Sequence, residues 1–250
     1  MHGSHRIVIP ADHPRAKSLR TREMLVDGFR RGLVAAEGLI AHGRGEAFDY
    51  LIGERTTKIA QRAIKCAAAT LLLSRHPVIS VNGNTAALCP KEVIELAHVT
   101  KAKIEVNLFY RTKERERAIM AELEKHGAKQ VLGVGERATA KIPELHSERR
   151  KIDPEGIYIA DTVFVPLEDG DRTEALIGMG KTVITIDLNP LSRTAKKAQI
   201  TIVDNIIRAM PTLVKEARSL DGSTSLKRIA ENFDNKKNLR ESLKIIRGGT

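Results

Sequence analysis

Apolar residues recur along the chain at two spacings, and the change from one to the other divides it. Ile7–Ile9 is a short apolar start, stopped by Pro10. From Ala16 to Arg31, the residues Leu19, Leu25, Val26, Phe29 and Leu33 recur at roughly helical spacing, and Gly32 ends that helix. Leu39–Ala41 runs into a turn bracketed by glycines, His42-Gly-Arg44-Gly-Glu46, and Phe48, Leu51 and Ile52 predict a short helix after it. Thr56–Ser74 is rich in Ala and Leu without a breaker and predicts a long, buried helix.

Past residue 76 the period shortens. Val78–Val81 is apolar and β-branched, and Asn82-Gly-Asn84 follows as a turn. Lys103–Phe109, Gln130–Val134, Thr162–Val165, Thr182–Ile186 and Ile200–Val203 read as further strands. Helices are expected from Pro90 to about His98, over Arg111–His126 with Gly127 as its end, over Arg172–Ile177, and after a Ser192 cap. Another runs from an Asp204 cap to about Leu220, bent at Pro211. Short apolar strands alternating with helices predict an α/β fold: a Rossmann-like, doubly wound, mostly parallel sheet of roughly six strands.

The expected organisation is one structural unit. A helical segment over 1–76 packs on a core over 77–220, and a helical tail occupies 221–250. Leu226, Ile229, Phe233, Leu239, Leu243 and Ile246 give the tail an apolar stripe, suited either to its own core or to a dimer contact. Ligands of such sheets lie beyond the carboxyl ends of the strands. That rule selects the turns after Val81, Val134, Ile186 and Val203.

Composition narrows the function. With 42% hydrophobic and 29% charged residues over 250 positions, the chain reads as a soluble globular protein and not a disordered one. No apolar run approaches the roughly 20 residues that span a bilayer, and no signal-like run follows Met1, so the cytoplasm is expected. Two cysteines, Cys66 and Cys89, exclude a disulfide framework and a thiolate zinc site. The net charge of +11 favours polyanionic partners: nucleotides, phosphorylated metabolites or nucleic acid. Five Phe, three Tyr and no Trp leave little for base stacking, so a nucleic-acid-binding module is a second reading.

Two motifs carry less than they promise. Gly180-Lys-Thr182 resembles the end of a phosphate loop but enters a strand, where its amides belong to the ladder. Gly133-Val-Gly-Glu-Arg-Ala138 fits G-x-G-x-x-G/A, with Asp153 or Glu155 downstream, and carries a weak third reading as a nicotinamide oxidoreductase. Three other clusters weigh more. In the turn before the Phe48 helix, two glycines would admit close backbone approach, Arg44 offers a planar fork for phosphate, and the helix N-terminus adds its dipole. Asn82-Gly-Asn84 stands at a strand end. In Asp187-Leu188-Asn189-Pro-Leu-Ser-Arg193-Thr194, the acid suits a ribose hydroxyl or a metal, and Arg193 and Thr194 suit phosphate. Asp204-Asn205 follows the neighbouring strand, and simple helix capping is the plainer account of these acids. Asp12-His13-Pro14-Arg15, with Arg22, forms a basic N-terminal cluster.

Together these segments resemble the archaeal phosphopantothenate synthetase family. The resemblance rests on Ile9-Pro10 with His13-Pro-Arg15, Ser18-Leu19, Arg22-Glu23 and Gly28, and on the run from Gly38 to Leu51. Ser80-Val-Asn-Gly-Asn84 and the run from Asp187 to Thr194 complete it. It implies an ATP-dependent, AMP-forming ligase of coenzyme A biosynthesis, a homodimer, using ATP with Mg²⁺. That ligase condenses 4-phosphopantoate with β-alanine, through an acyl-adenylate, to 4′-phosphopantothenate. By the same resemblance Arg22, Arg44, Asp187, Leu188, Asn189, Arg193, Thr194, Asn205 and Ile206 would line the ATP site. We add Asn82, Asn84 and Arg15 as expected substrate-binding residues and Arg44, Glu46 and His13 as expected catalytic ones. His13, His42 and Glu46 are the candidate bases for the β-alanine amine, and the metal ligands stay open.

Overall fold

The computed structural model describes residues 9–248, so most of the Ile7–Ile9 segment lies outside it. Three helices come first: α1 (Ala16–Arg30), α2 (Ala36–Leu51) and α3 (Lys58–Leu73). Then follow β1 (Pro77–Val81), α4 (Gly83–Leu88), α5 (Pro90–Thr100), β2 (Lys103–Val106) and α6 (Lys113–Lys125). An irregular insertion holds only the short strands β3 (Ala140–Lys141) and β4 (Lys151–Ile152) and two 3₁₀ turns. The chain continues through β5 (Thr162–Pro166), α7 (Gly170–Gly178), β6 (Thr182–Ile186), α8 (Arg193–Lys197), β7 (Ile200–Ile202) and α9 (Ile206–Leu220). It ends in α10 (Leu226–Glu231) and α11 (Asn235–Ile246). No helix among the described residues is long and apolar enough to cross a membrane.

Five strands form the main sheet in the order β2-β1-β5-β6-β7, all parallel. Counting only these strands, the order is the second common doubly wound pattern, with its reversal between β1 and β5. Side chains alternate between two cores, as a pleated strand requires. Phe164 and Ile184 join Ile79 and Ile104 in a core completed by α3, α5, α6 and α9. Val163, Val165 and Val183 face Leu176 of α7 and the insertion residues Ile142, Leu145, Ile152 and Ile157. Burial on both faces explains why these strands read as continuous apolar runs.

Four expectations need correction. The His42–Glu46 segment is not a turn but the middle of α2. Its glycines each cost about 1 kcal/mol against alanine in a helix, and tertiary contacts described below override that cost. Gln130–Val134 adds no strand; one bridge, Glu105 to Leu132, is all that forms, because the insertion turns away at Gly133 (φ 75°). The main sheet therefore has five strands, not six. Asn205, not Asp204, caps α9, because the Asp204 carboxylate is taken by Thr56 and Arg208.

The tail packs on its own core. Leu226, Ile229 and Phe233 lie against the α3 side, and Asn235 and Asn238 hydrogen-bond the β7 backbone at Thr201. Both cysteines are free and buried, and burial pushes Cys66 up to about 11. Gly180 (φ 76°) ends α7 ahead of β6, as read for a plain helix-to-strand turn.

Candidate functional site

The carboxyl ends of all five parallel strands open on one cleft of about 770 Å³. Asn82 follows β1, Leu108–Tyr110 follow β2, Leu167–Gly170 follow β5, Asp187–Asn189 follow β6, and Asn205–Ile206 follow β7. The reversal of strand order makes this crevice: neighbouring connections leave in opposite directions at β1 and β5. Helix α2 borders the same cleft through Gly38, His42, Arg44, Gly45 and Phe48.

Buried polar contacts hold α2 there. Asn84 Nδ2 donates to the Gly38 carbonyl at 2.9 Å. At the other end, Asp49 accepts from Asn205 Nδ2 at 2.8 Å and from Arg208 Nη1 at 3.1 Å. Arg208 also bonds Asp204, whose second oxygen accepts from Thr56 Oγ1 at 2.6 Å. Desolvation pushes the Asp204 carboxyl up, and Thr56 and Arg208 pull it back. Gly38 permits the approach to Asn84, whereas Gly45 makes an ordinary contact with Leu188. A Cβ on Gly38 would stand 2.4 Å from Asn84 Oδ1, and one on Gly45 would stand 3.6 Å from Leu188 Cδ1.

Three longer connections end in capped helix starts at the cleft. Asp169 accepts from Arg172 N at 2.9 Å, Ser192 from Ala195 N at 2.9 Å, and Asn205 from Ile207 N at 3.3 Å. The remaining amides and helix dipoles favour anions. Asp187 is pushed up by burial, while Ser192 and the Asn189 amide, at 2.9 Å, stabilise its charge.

The structure brings Arg44, Asn82, Asn84, Asp187, Leu188, Asn189, Arg193, Thr194, Asn205 and Ile206 to the cleft lining. Arg44 is exposed there and has no carboxylate partner among the described residues. Arg193 is paired with Asp171 and Glu174 of α7, the latter at 3.3 Å. Asn82 is engaged on both sides: Nδ2 donates to the Pro166 and Leu167 carbonyls at 3.0 and 3.1 Å, and Oδ1 caps α4. It ties β1 to β5 across the reversal.

Four expected residues stand apart from the lining. Arg22 and Glu46 hold each other, with Nε to the two carboxylate oxygens at 3.1 and 3.0 Å and Nη2 at 2.9 Å. His13 is exposed before α1, and its Nδ1 accepts from the Arg15 amide at 3.0 Å. Arg15 is exposed beside it. His42, in contrast, lines the cleft, and burial holds it below the usual histidine range.

Sequence reasoning missed Arg115, Arg149, Glu168 and Asp169, all lining the cleft. The strand-end rule applied to Val165 would have found Glu168 and Asp169. Arg149 gave no signal, because it arrives on the irregular insertion. Asn107 Nδ2 holds its carbonyl and that of Lys151, both at 3.1 Å. Beneath it, Glu105 accepts from Ile157 N at 2.6 Å and Asp153 N at 3.1 Å. The Gly133–Ala138 motif serves this same insertion. Gly133 N donates to Asp153 Oδ2 at 3.2 Å, where Arg137 also pairs, and Gly135 N donates to Glu116 Oε2 at 2.8 Å, so both glycine amides are spent on protein carboxylates.

The sequence profile of the family described as phosphopantothenate/pantothenate synthetase matches residues 59–249. The chain belongs to that family. The 4-phosphopantoate–β-alanine ligase of Thermococcus onnurineus is 56% identical over 244 residues, 96% of this chain and 93% of its own length. That of Thermococcus kodakarensis is 56% identical over 242 residues, 96% and 92% of the two lengths. That of Methanosarcina mazei is 52% identical over 240 residues, 95% and 94%. In this chain, the two longest resembling segments are α2 and the β6–α8 connection. They face each other across the cleft where Gly45 meets Leu188.

Proposed function

We propose that the chain is an ATP-dependent 4-phosphopantoate–β-alanine ligase of coenzyme A biosynthesis, forming 4′-phosphopantothenate, AMP and diphosphate. The observation that carries the reading is identity above 50% over more than nine-tenths of both chains, with similarly named relatives. The cleft at five strand ends, with Arg44, Arg115, Arg149 and Arg193 in its lining, supports it. Neither the nucleic-acid reading nor the oxidoreductase reading has support of this kind.

The pantoate carboxylate must attack the α-phosphorus of ATP, anion against anion. Arg44 and the amides opening α7, α8 and α9 lower that repulsion and stabilise charge on departing diphosphate. Asp187 and Asn205 flank the nucleotide end, with the Asp187 carboxylate suited to a ribose hydroxyl. The β-alanine amine then attacks the acyl carbon, and AMP leaves. The amine must arrive unprotonated. We assign its proton to His42, which burial keeps neutral and which borders the cleft. Glu46 is held by Arg22 and serves as structure in this reading.

Among the described residues no three His, Cys, Asp or Glu side chains group to hold a metal. Mg²⁺ is therefore treated as part of the MgATP substrate, needing one or two protein carboxylates. Asp169 Oδ2 lies 3.2 Å from Arg149 Nη1 and would have to exchange that pairing to hold the ion, which would neutralise phosphate charge. The homodimer belongs to the same proposal. Exposed Met24, Phe29, Ile40, Tyr50 and Leu51 on α1 and α2 support a partner on that side, and a cytoplasmic location suits the two free thiols.

The test is release of AMP from ATP that depends on both 4-phosphopantoate and β-alanine. ADP as product would remove the acyl-adenylate route. Arg44→Ala should lose at least about 100-fold in kcat/KM while melting like the wild type. Unchanged turnover would remove Arg44 from the chemistry.

A further inference from the structure

The connection after β5, Leu167–Gly170, stands where the strand order reverses, and it lines the cleft between the β1 and β6 connections. Leu167 is held there at φ 57°, a left-handed conformation that a residue other than glycine keeps only where its surroundings enforce it. Asn82 Nδ2 holds its carbonyl from the β1 side at 3.1 Å, and its amide donates to the Ile186 carbonyl of β6 at 3.2 Å. The Glu168 carboxylate, next in the chain, turns beneath the lining and is fully buried. We propose that Glu168 is a positioning residue of adenylation: braced by Arg172 and Ser80, it sets the start of α7, Arg149 and Thr194 in one geometry and touches neither substrate. This rests on the ligase reading above.

Glu168 reaches three separate parts of the cleft. Its carboxylate accepts from the amide of Asp169, the α7 cap, at 2.7 Å. It pairs with Arg149 of the insertion. Its carbonyl accepts from Thr194 Oγ1 of α8 at 3.1 Å. Those three partners line the cleft, whereas Arg172 and Ser80 are buried outside its lining. Arg172 is 1% exposed; one amino group holds Glu168, and Nη2 donates to Ser80 Oγ of β1 at 3.0 Å.

Stability alone does not account for the Glu168–Arg172 pair. A buried ion pair is often no more stabilising than apolar side chains of similar volume. Here the buried Arg172 Nε also lacks an acceptor among the described residues, a desolvation cost left unrecovered. What the pair supplies is direction. Without Glu168, Arg149 would keep only Asp169 among the described residues, 3.2 Å from its Nη1, and Arg172 would lose its ion pair. Adenylation is the step that needs this register. A carboxylate oxygen of 4-phosphopantoate bonds to the α-phosphorus as the bond from that phosphorus to diphosphate breaks. The groups holding the acid and those receiving diphosphate must therefore be aligned at once. A displacement of about 1 Å at such a centre costs on the order of 100-fold. β-Alanine attacks after diphosphate has left and depends less on that alignment.

The test uses the full-length protein. Single-turnover release of diphosphate from ATP and 4-phosphopantoate, with β-alanine omitted, reads adenylation alone. Glu168→Gln keeps the shape and removes the charge; well below its melting temperature it should slow that release roughly 10- to 100-fold. KM for β-alanine should stay within about twofold. Ser80→Ala cuts only the brace to β1 and should slow the same step by about 3- to 10-fold. Arg172→Lys should retain more of the rate than Arg172→Gln. A merely structural role would lower the melting temperature and leave the adenylation rate of the folded variants unchanged, and that result overturns the proposal. So does a rise in KM for β-alanine as large as the loss of adenylation rate, or a wild type that releases diphosphate only when β-alanine is present. If Glu168→Gln fails to fold, Ser80→Ala decides by the same readout. A wild type releasing no AMP under any condition would overturn the ligase reading itself, whereas an active wild type matched by its variants sinks only the role of Glu168.

Discussion

Glu105 is fully buried at the end of β2, where it anchors the insertion that delivers Arg149. Burial pushes its carboxyl up to about 7 from an ordinary 4.5, although the Ile157 and Asp153 amides and the charge of Arg172 all favour the ionised form. Between those two values the native state keeps a proton that the unfolded chain has lost. Stability is thus full below 4.5, falls as pH rises, and levels off above about 7. The displacement corresponds to roughly 3 kcal/mol. Urea unfolding of the wild type and of Glu105→Gln across this range measures it. Gln cannot ionise, so the wild-type advantage over the variant should shrink by about 3 kcal/mol between the two limits. Asp187 and Asp204, also pushed up by burial, act alike in both proteins and cancel in the difference. Parallel stability curves would refute the argument, because they would mean that Glu105 ionises in the folded protein as easily as in the unfolded one.

Other substitutions probe α2. Gly38→Ala places a methyl 2.4 Å from Asn84 Oδ1 and 3.2 Å from Val34 Cγ1; it should cost about 1–3 kcal/mol in thermal unfolding, despite the better helix propensity of alanine. Asp49→Ala removes the acceptor of Asn205 Nδ2 and one carboxylate from Arg208. It should cost about 3 kcal/mol by chemical denaturation and raise KM for ATP. His42 is held below its ordinary 6.5 by burial and by Arg22, against Glu46 and Asp49. The acidic limb of kcat/KM should therefore lie below 6.5 and disappear in His42→Gln, with the basic side unmoved.

Much of the core was legible because its strands are apolar on both faces. Thr182–Ile186 was read to the residue, and the other main-sheet strands to within a few. The insertion between β2 and β5 was not legible. Its order comes from long-range polar contacts, Asn107 to Arg149 and Glu105 to Ile157, that no local period records. The same limit hid half of the cleft. Asp187 stands directly after β6 and Asn205 shortly after β7, so they announce themselves, whereas Arg149 is brought from a segment without periodicity. His13 and Arg22 show the converse: a dense cluster in sequence that folds away from the cleft lining, with Arg22 given to Glu46.

The segment from Gly38 to Glu46 shows why a right signal can accompany a wrong conformation. Its glycines were read as a loop that lets the backbone approach a ligand. The chain is helical there, yet close approach is still what Gly38 provides, against Asn84. A loop would have supplied amides to a phosphate. A helix has spent its interior amides on itself, so what α2 offers the cleft is side chains, Arg44 and His42 above all. Anion-binding amides must then come from the starts of α7, α8 and α9 on the sheet. One rigid element thus carries the unpaired cation and the base, and another carries the fixed dipoles. The contacts of Asp49 and Asn84 set the distance between them. Activity should accordingly depend on residues that touch neither substrate, provided they hold α2 to the strand ends.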